Sequence, residues 1–266
     1  MLRLSFAAVC LLSLPLGALA EEPPNPLVES AAWDDLAGHV LGEATALPAG
    51  SALQLEAPVR AEDAATVPVR LVQPADAPRI EAVTLVVDEN PVPIAAEITF
   101  GEAMSPLDFE LRLRVDAYSN VRAVAFPAEG EPIMTGAFVK ASGGCSAPAT
   151  RSPAEVLASL GEMRLREFGR GADGRAEAQI MIRHPQYSGL QRDQVTQYWI
   201  PPHYIERLEV WQGEDRLFTL TGGISISENP VFRFRFADNG APAFRVRVED
   251  TEGHIFERLL NRDGPA

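Results

Sequence analysis

The chain has 266 residues and a formal net charge of −14 at pH 7, from 37 acidic and 23 basic side chains. Nucleic acids and anionic membrane surfaces repel a protein of this charge. We therefore expect neither nucleic acid nor a membrane among its partners.

Residues 1–20 fit a cleavable secretory signal peptide. Arg3 supplies the positive start, residues 4–16 form an apolar run, and Ala18-Leu19-Ala20 matches a small-residue cleavage site. Only a few apolar or small residues separate Arg3 from Cys10, too few for the apolar part of a lipoprotein signal. We expect an exported protein that loses Cys10 together with the signal.

The first half of the mature chain is predicted to be one short helix followed by strands. Apolar residues recur at helical spacing over residues 30–40, with Ser30 as the capping residue. Alternation of apolar and polar residues then predicts strands, separated by proline and glycine clusters, at residues 66–72, 80–87, 109–115 and 121–126. Such a pattern is typical of an antiparallel sandwich.

A connector at residues 148–161 separates this block from a second one. Within it Ser152, Pro153 and Glu155 form the start signal of a short helix, and Gly161 ends it. Strand alternation resumes at residues 163–168, 178–183, 204–211, 231–236 and 244–248. We predict an all-β protein with two sandwich domains, residues 21–147 and 162–266.

Cys145 is the candidate functional residue, because it follows Gly143 and Gly144 and precedes Ser146. We interpret it as an exposed thiol on a loop made flexible by the two glycines. A single cysteine in an exported protein cannot form an internal disulfide, which leaves a reactive thiol, an intermolecular crosslink or an inert thiol. With an unperturbed pKa of about 8.5, a minor thiolate fraction is expected near neutrality.

Other candidate sites give weaker signals. The four histidines have no metal-ligand spacing, so we predict no metal site. Arg112 and Arg114 alternate with apolar residues and are predicted to face solvent or to pair with acidic side chains. No phosphate-binding glycine motif is present, and no cofactor is expected.

Several short motifs together resemble two known families. Those of the first half resemble the end of SoxY, the sulfur-carrying subunit of bacterial thiosulfate oxidation: residues 120–125, residues 137–140 and Gly143-Gly144-Cys145. Those of the second half resemble its partner SoxZ: His184-Pro185, residues 189–193, 200–205 and 227–230, and Phe232-Arg233-Phe234. Their order resembles the fused SoxYZ-like carrier proteins associated with quinoprotein dehydrogenases.

The resemblance implies two immunoglobulin-like sandwiches in a periplasmic carrier that is not an enzyme. It implies that Cys145 holds a sulfur intermediate covalently, on an arm whose flexibility comes from Gly143 and Gly144. Periplasmic redox or sulfur-transfer enzymes, with a quinoprotein dehydrogenase among the candidates, would be its partners. The chain departs from the family where Ser146-Ala147 replace two glycines and where it continues into Pro148 and a second domain.

Two other functions remain open from the sequence. The protein could be an adaptor that docks a periplasmic dehydrogenase or a cytochrome, with the cysteine incidental. It could also be a cysteine-dependent enzyme, which would need a histidine beside Cys145 as base.

Overall fold

The structure is a computed structural model that describes residues 26–149 and 153–262. The predicted signal peptide, Cys10 and the predicted capping residue Ser152 lie outside these residues. Among the described residues, no helix is long and apolar enough to cross a membrane.

Both predicted helices are present. Helix α1 (Ala31–Leu41) follows Ser30, whose Oγ accepts a hydrogen bond from the backbone N–H of Trp33 at 3.3 Å. This bond satisfies a donor that the first helical turn cannot satisfy itself. Gly42 ends the helix with a φ of +63°, a conformation that favours glycine. Helix α2 (Pro153–Ser159) lies in the connector, and a 3₁₀ turn spans Glu102–Met104.

The strands form two sets, one on each side of the connector. The first set is β1 (Leu47–Pro48), β2 (Gln54–Glu56), β3 (Val67–Val72), β4 (Ile80–Val87), β5 (Ile94–Phe100), β6 (Asp108–Leu113), β7 (Ser119–Pro127) and β8 (Ile133–Val139). The second set is β9 (Met163–Arg170), β10 (Ala176–Ile182), β11 (Ile205–Gln212), β12 (Asp215–Gly222), β13 (Val231–Phe236), β14 (Ala243–Asp250) and β15 (Ile255–Asn261).

Within the described residues these strands form two layers, and each layer contains strands from both sets. The larger sheet has nine strands in the order β1-β8-β7-β4-β5-β12-β11-β14-β15. The smaller sheet has six, in the order β2-β3-β6-β13-β10-β9. The pair β1–β8 is parallel, whereas the pairs that join the two sets are antiparallel.

Two strand pairs join the halves of the molecule. In the larger sheet β5 pairs with β12, which places Phe100 opposite Phe218. In the smaller sheet β6 pairs with β13, which places Phe109 opposite Phe234. Backbone hydrogen bonding therefore continues from one half into the other in both layers.

Aromatic packing continues the same junction into the core. The ring of Phe109 contacts the rings of Phe100 and Phe218 edge to face, with centroids 5.3 and 5.1 Å apart. Phe218 in turn contacts Phe234 at 5.3 Å. The predicted all-β class with two immunoglobulin-like sandwiches is confirmed, and the two sandwiches share one core and both of their sheets.

Candidate functional site

The cysteine loop, residues 141–147, follows β8 and lies against the chain that continues from β6. The backbone N–H of Gly143 donates to the carbonyl of Asp116 at 2.7 Å, and that of Gly144 to the carbonyl of Val115 at 3.2 Å. The backbone N–H of Cys145 donates to Oδ1 of Asp116 at 3.0 Å. Hydrogen bonds thus hold three successive residues of the loop against one short segment.

The two glycines have different structural roles in this loop. Gly143 has a φ of +75°, a backbone conformation that other residues rarely adopt. Gly144 has no room for a side chain, because a Cβ would lie 2.2 Å from the carbonyl oxygen of Ala64. The predicted role of both glycines in arm flexibility stays a prediction, and the structure shows in addition that Gly144 permits close packing.

The predicted exposure of Cys145 is wrong in this structure, where its side chain is 0% exposed. Part of the cover comes from the second half of the chain. The hydroxyl of Ser188 donates to the carbonyl oxygen of Cys145 at 2.5 Å, and Nε2 of Gln191 donates to that of Ala147 at 2.7 Å. The sequence around the cysteine cannot indicate this cover, because Ser188 and Gln191 lie in the other domain.

The side chain of Arg114 connects the cysteine loop to the second half of the chain. It is only 2% exposed, which contradicts the predicted solvent-facing position, whereas Arg112 is exposed as predicted. One terminal nitrogen of Arg114 donates to the carbonyl of Gly144 at 3.1 Å and the other to that of Gln186 at 3.2 Å. Its Nε has no hydrogen-bond partner among the described residues.

The electrostatic surroundings keep the Cys145 thiol protonated. Burial raises the pKa of Cys145 to about 12; the Asp116 carboxylate adds to the rise, and the Arg114 guanidinium opposes it. The expected thiolate fraction near neutrality is therefore wrong for the closed loop. Only a rearrangement that exposes the sulfur to water would restore an ordinary thiol pKa.

Three histidines, which the sequence separates widely, meet around Asp250. Oδ2 of Asp250 lies 3.4 Å from Nε2 of His184, 2.8 Å from Nε2 of His203 and 3.0 Å from Nδ1 of His254. Burial lowers the pKa of His184 to about 4, and His203 adds to this shift. Three of the four histidines are therefore close together in space, although their spacing in the sequence does not indicate it.

None of these histidines is hydrogen-bonded to the cysteine within residues 26–149 and 153–262. The connection between the two groups is indirect: the backbone N–H of Gln186 donates to Nδ1 of His184 at 3.2 Å, and its carbonyl accepts from Arg114. The nucleophile–base pair that a cysteine-dependent enzyme would need is not formed in this arrangement.

Comparisons with known families match both halves of the chain. The model of the sulfur oxidation protein SoxY matches residues 37–145, so its match ends at the cysteine, and that of the sulphur oxidation protein SoxZ matches residues 165–260. The chain carries a SoxY domain followed by a SoxZ domain. Cys145 thus ends the SoxY match, and Ser188 and Gln191, which cover it, belong to the SoxZ domain.

A solved structure is also similar to part of the chain. It is that of the sulfur carrier protein SoxY from Chlorobium limicola f thiosulfatophilum, with 24% sequence identity and a TM-score of 0.36. The similarity covers 41% of this chain and 91% of that one. No curated protein matches the chain.

Proposed function

We propose that the protein is a non-catalytic carrier of sulfur intermediates, with Cys145 as the covalent attachment point. The presence of SoxY and SoxZ domains in one chain supports a carrier role in sulfur oxidation. The observation that carries the proposal is that the SoxY match ends at Cys145, the one cysteine among the described residues, which lies on a loop.

Covalent loading requires the cysteine loop to open, because the sulfur is buried and protonated in the closed form. The side-chain bonds from Ser188 and Gln191 tie the loop directly to the SoxZ domain. At about 0.5–1.5 kcal/mol for each bond, breaking both costs roughly 1–3 kcal/mol. These two bonds alone would leave an open form at roughly 1–20% of the population, and the bond from Arg114 lowers that fraction further.

Location and partners complete the proposal. The fit of residues 1–20 to a signal peptide supports a periplasmic carrier, and periplasmic redox or sulfur-transfer enzymes would load and unload it. The resemblance to fused carriers makes a quinoprotein dehydrogenase the candidate partner and thiosulfate oxidation the candidate process.

Intact-mass measurement of the protein purified from cells without reductant tests the proposal. We expect a sulfur-containing adduct on Cys145 that reductant removes, and no adduct in the Cys145→Ser variant. A protein that carries an unmodified thiol after growth on reduced sulfur compounds, together with undiminished sulfur oxidation by cells that express Cys145→Ser, would rule the carrier out.

One observation favours an adaptor as the second candidate. Three large apolar side chains in the segment that follows Gln191 are exposed: Val195 by 91%, Tyr198 by 78% and Trp199 by 59%. Gln191 itself contacts the cysteine loop, so this segment continues directly from the cover of Cys145 and offers an apolar surface to a partner. If cells that express Cys145→Ser oxidise sulfur compounds at the full rate while cells that express Tyr198→Ser do not, the adaptor is the better description.

A further inference from the structure

Arg114 is one of two arginines that are buried among the described residues, and the two differ in how their charge is balanced. Arg122 forms a salt bridge in which its Nε lies 2.8 Å from Oδ1 of Asp88. Arg114 forms no salt bridge with a carboxylate in the part of the chain that the structure describes, and its terminal nitrogens donate to the neutral carbonyls of Gly144 and Gln186. Buried charges are ordinarily paired, because their removal from water is costly. The charge of Arg114 is therefore left without a counter-charge in the closed loop.

Two hydrogen-bond donors at this place are also without partners among the described residues. A guanidinium has five N–H donors, and Nε of Arg114 is buried without an acceptor. Nε2 of Gln186, whose carbonyl accepts from Arg114, is likewise buried without one. Gln186 has a φ of +47°, which residues other than glycine rarely adopt. Since a buried donor without a partner destabilises a fold, an acceptor that reached Nε of Arg114 would stabilise the closed loop.

A negative charge at Cys145 would be the strongest electrostatic partner of Arg114. Burial lowers the pKa of Arg114, and an anion at Cys145 opposes this shift more than the carboxylates of Glu228 and Asp63 do. The effect is mutual: burial and then the Asp116 carboxylate raise the pKa of Cys145, and the Arg114 guanidinium opposes them. Arg114 is therefore the group that favours an anion at this sulfur, and Asp116 is the group that acts against it.

The unmodified thiol does not supply the anion. With a pKa of about 12 it is neutral near neutral pH. A group attached to the sulfur that is itself a strong acid, such as a sulfonate, is negative at the same pH. The closed loop therefore lacks a counter-charge for Arg114 when Cys145 is empty and gains one when the attached group is anionic.

We propose that Arg114 is the counter-charge for an anionic group carried on Cys145, and that it makes the closed loop select an anionic load over a neutral load of the same shape. Arg114 is then a specificity-determining residue that acts in the loaded, closed form. The proposal rests on the proposed carrier function and adds the residue by which the carrier distinguishes its loads.

Two synthetic adducts of nearly equal size test the proposal. Cys145 is alkylated in urea, where its sulfur displaces the iodide of iodoacetate or iodoacetamide, and the protein is refolded; the same adducts form slowly on the native protein at alkaline pH. Only the carboxymethyl adduct is anionic, so we expect it to unfold at a higher urea concentration than the carbamidomethyl adduct. With ¹³C-labelled iodoacetate, NMR measures the pKa of the attached carboxyl. It should lie at least about one unit lower in the native than in the urea-unfolded protein, because a nearby opposite charge lowers the pKa of a carboxyl group.

Substitutions separate the charge of Arg114 from other causes. Arg114→Gln should abolish both differences, whereas Arg112→Gln changes an exposed arginine two residues away and should keep them. If Arg114→Gln does not fold, the two wild-type adducts still decide the proposal. It is overturned if the carboxyl pKa is not lower in the native wild type, if the two wild-type adducts unfold at the same urea concentration, or if folded Arg114→Gln keeps both differences.

The result is independent of the test of the carrier itself, because both adducts are synthetic. If the adduct experiment fails while the protein from cells carries a sulfur adduct on Cys145, the role of Arg114 is wrong and the carrier function stands.

Discussion

Native Cys145 should react with a neutral alkylating reagent far more slowly than the same residue in the unfolded chain. At about pH 8, a free thiol with a pKa between about 8.5 and 9.0 is about 10–25% thiolate, whereas a pKa of about 12 leaves about 0.01%. Since only the thiolate reacts, direct attack on the closed loop should be about a thousandfold slower. Reaction through the open form should be slower by at least about five- to a hundredfold, because only roughly 1–20% of the molecules would be open and the Arg114 bond lowers that fraction. Intact-mass analysis during incubation with iodoacetamide, with and without urea, measures both rates.

Loosening the cover should restore part of the lost reactivity. Ser188→Ala and Gln191→Ala each remove one bond of about 0.5–1.5 kcal/mol, so each should speed native alkylation by about two- to tenfold. Ser51→Ala and Gln194→Ala change exposed residues away from these bonds and serve as controls. If native Cys145 reacts as fast as the unfolded chain, or if the cover variants match the controls, then burial does not control this thiol.

Three further outcomes are expected. Gly144→Ala, which would force a Cβ to 2.2 Å from a carbonyl oxygen, should lower the urea midpoint and speed Cys145 alkylation more than Gly143→Ala, which meets only an unfavourable φ. The pKa of Cys145 is higher in the folded than in the unfolded chain, so the protonated thiol stabilises the fold below pH 9, and this stabilisation is lost as the pH rises towards 12. Between about pH 8 and 10 the free energy of unfolding should therefore fall by about 1.4 kcal/mol more in the wild type than in Cys145→Ala. If the chain is cut in the connector, the two halves should purify together as a one-to-one complex when they are co-expressed. Each half expressed alone should aggregate, because it exposes the unpaired edges of β5 and β6 or of β12 and β13. Halves that are each soluble and do not associate would contradict this.

The strand pattern was predictable because it depends on local alternation. In β13 the residues Phe232, Phe234 and Phe236 alternate with arginines, and all three rings are buried while the arginines are partly exposed. Alternation alone could not show that β13 pairs with β6 of the other half. Pairing between distant strands depends on the shape of both sheets, which a single strand does not encode.

At Arg114 the alternation of apolar and polar residues fails to predict which way the side chain points. Arg112 and Arg114 occupy equivalent positions in the alternating pattern, yet only Arg112 is exposed. The difference arises beyond the end of β6, where the backbone N–H of Arg114 bonds to the carbonyl of Ser225 in the second half and the side chain turns inward. Alternation predicts orientation only as long as the strand continues.

The environment of Cys145 and the histidine group could not be predicted for a related reason. Glycine and serine neighbours describe how freely a loop can move, but its burial depends on Ser188 and Gln191, more than forty residues further along the chain. The histidines likewise meet because β11 and β14 are neighbours in the sheet, although His203 and His254 are far apart in the sequence. In both cases residues that are far apart in the sequence are neighbours in the folded chain.

The chain continues from the cysteine loop into the SoxZ domain, so Cys145 sits on a segment anchored at both ends. A free chain end can pass through a hole one chain wide. An anchored loop enters doubled back on itself, and two extended passages side by side need a spacing of about 5 Å between their backbones. Any enzyme that reaches this sulfur should therefore present a cleft open along one side, and an enzyme whose active site lies at the bottom of a narrow tunnel should be unable to use this carrier.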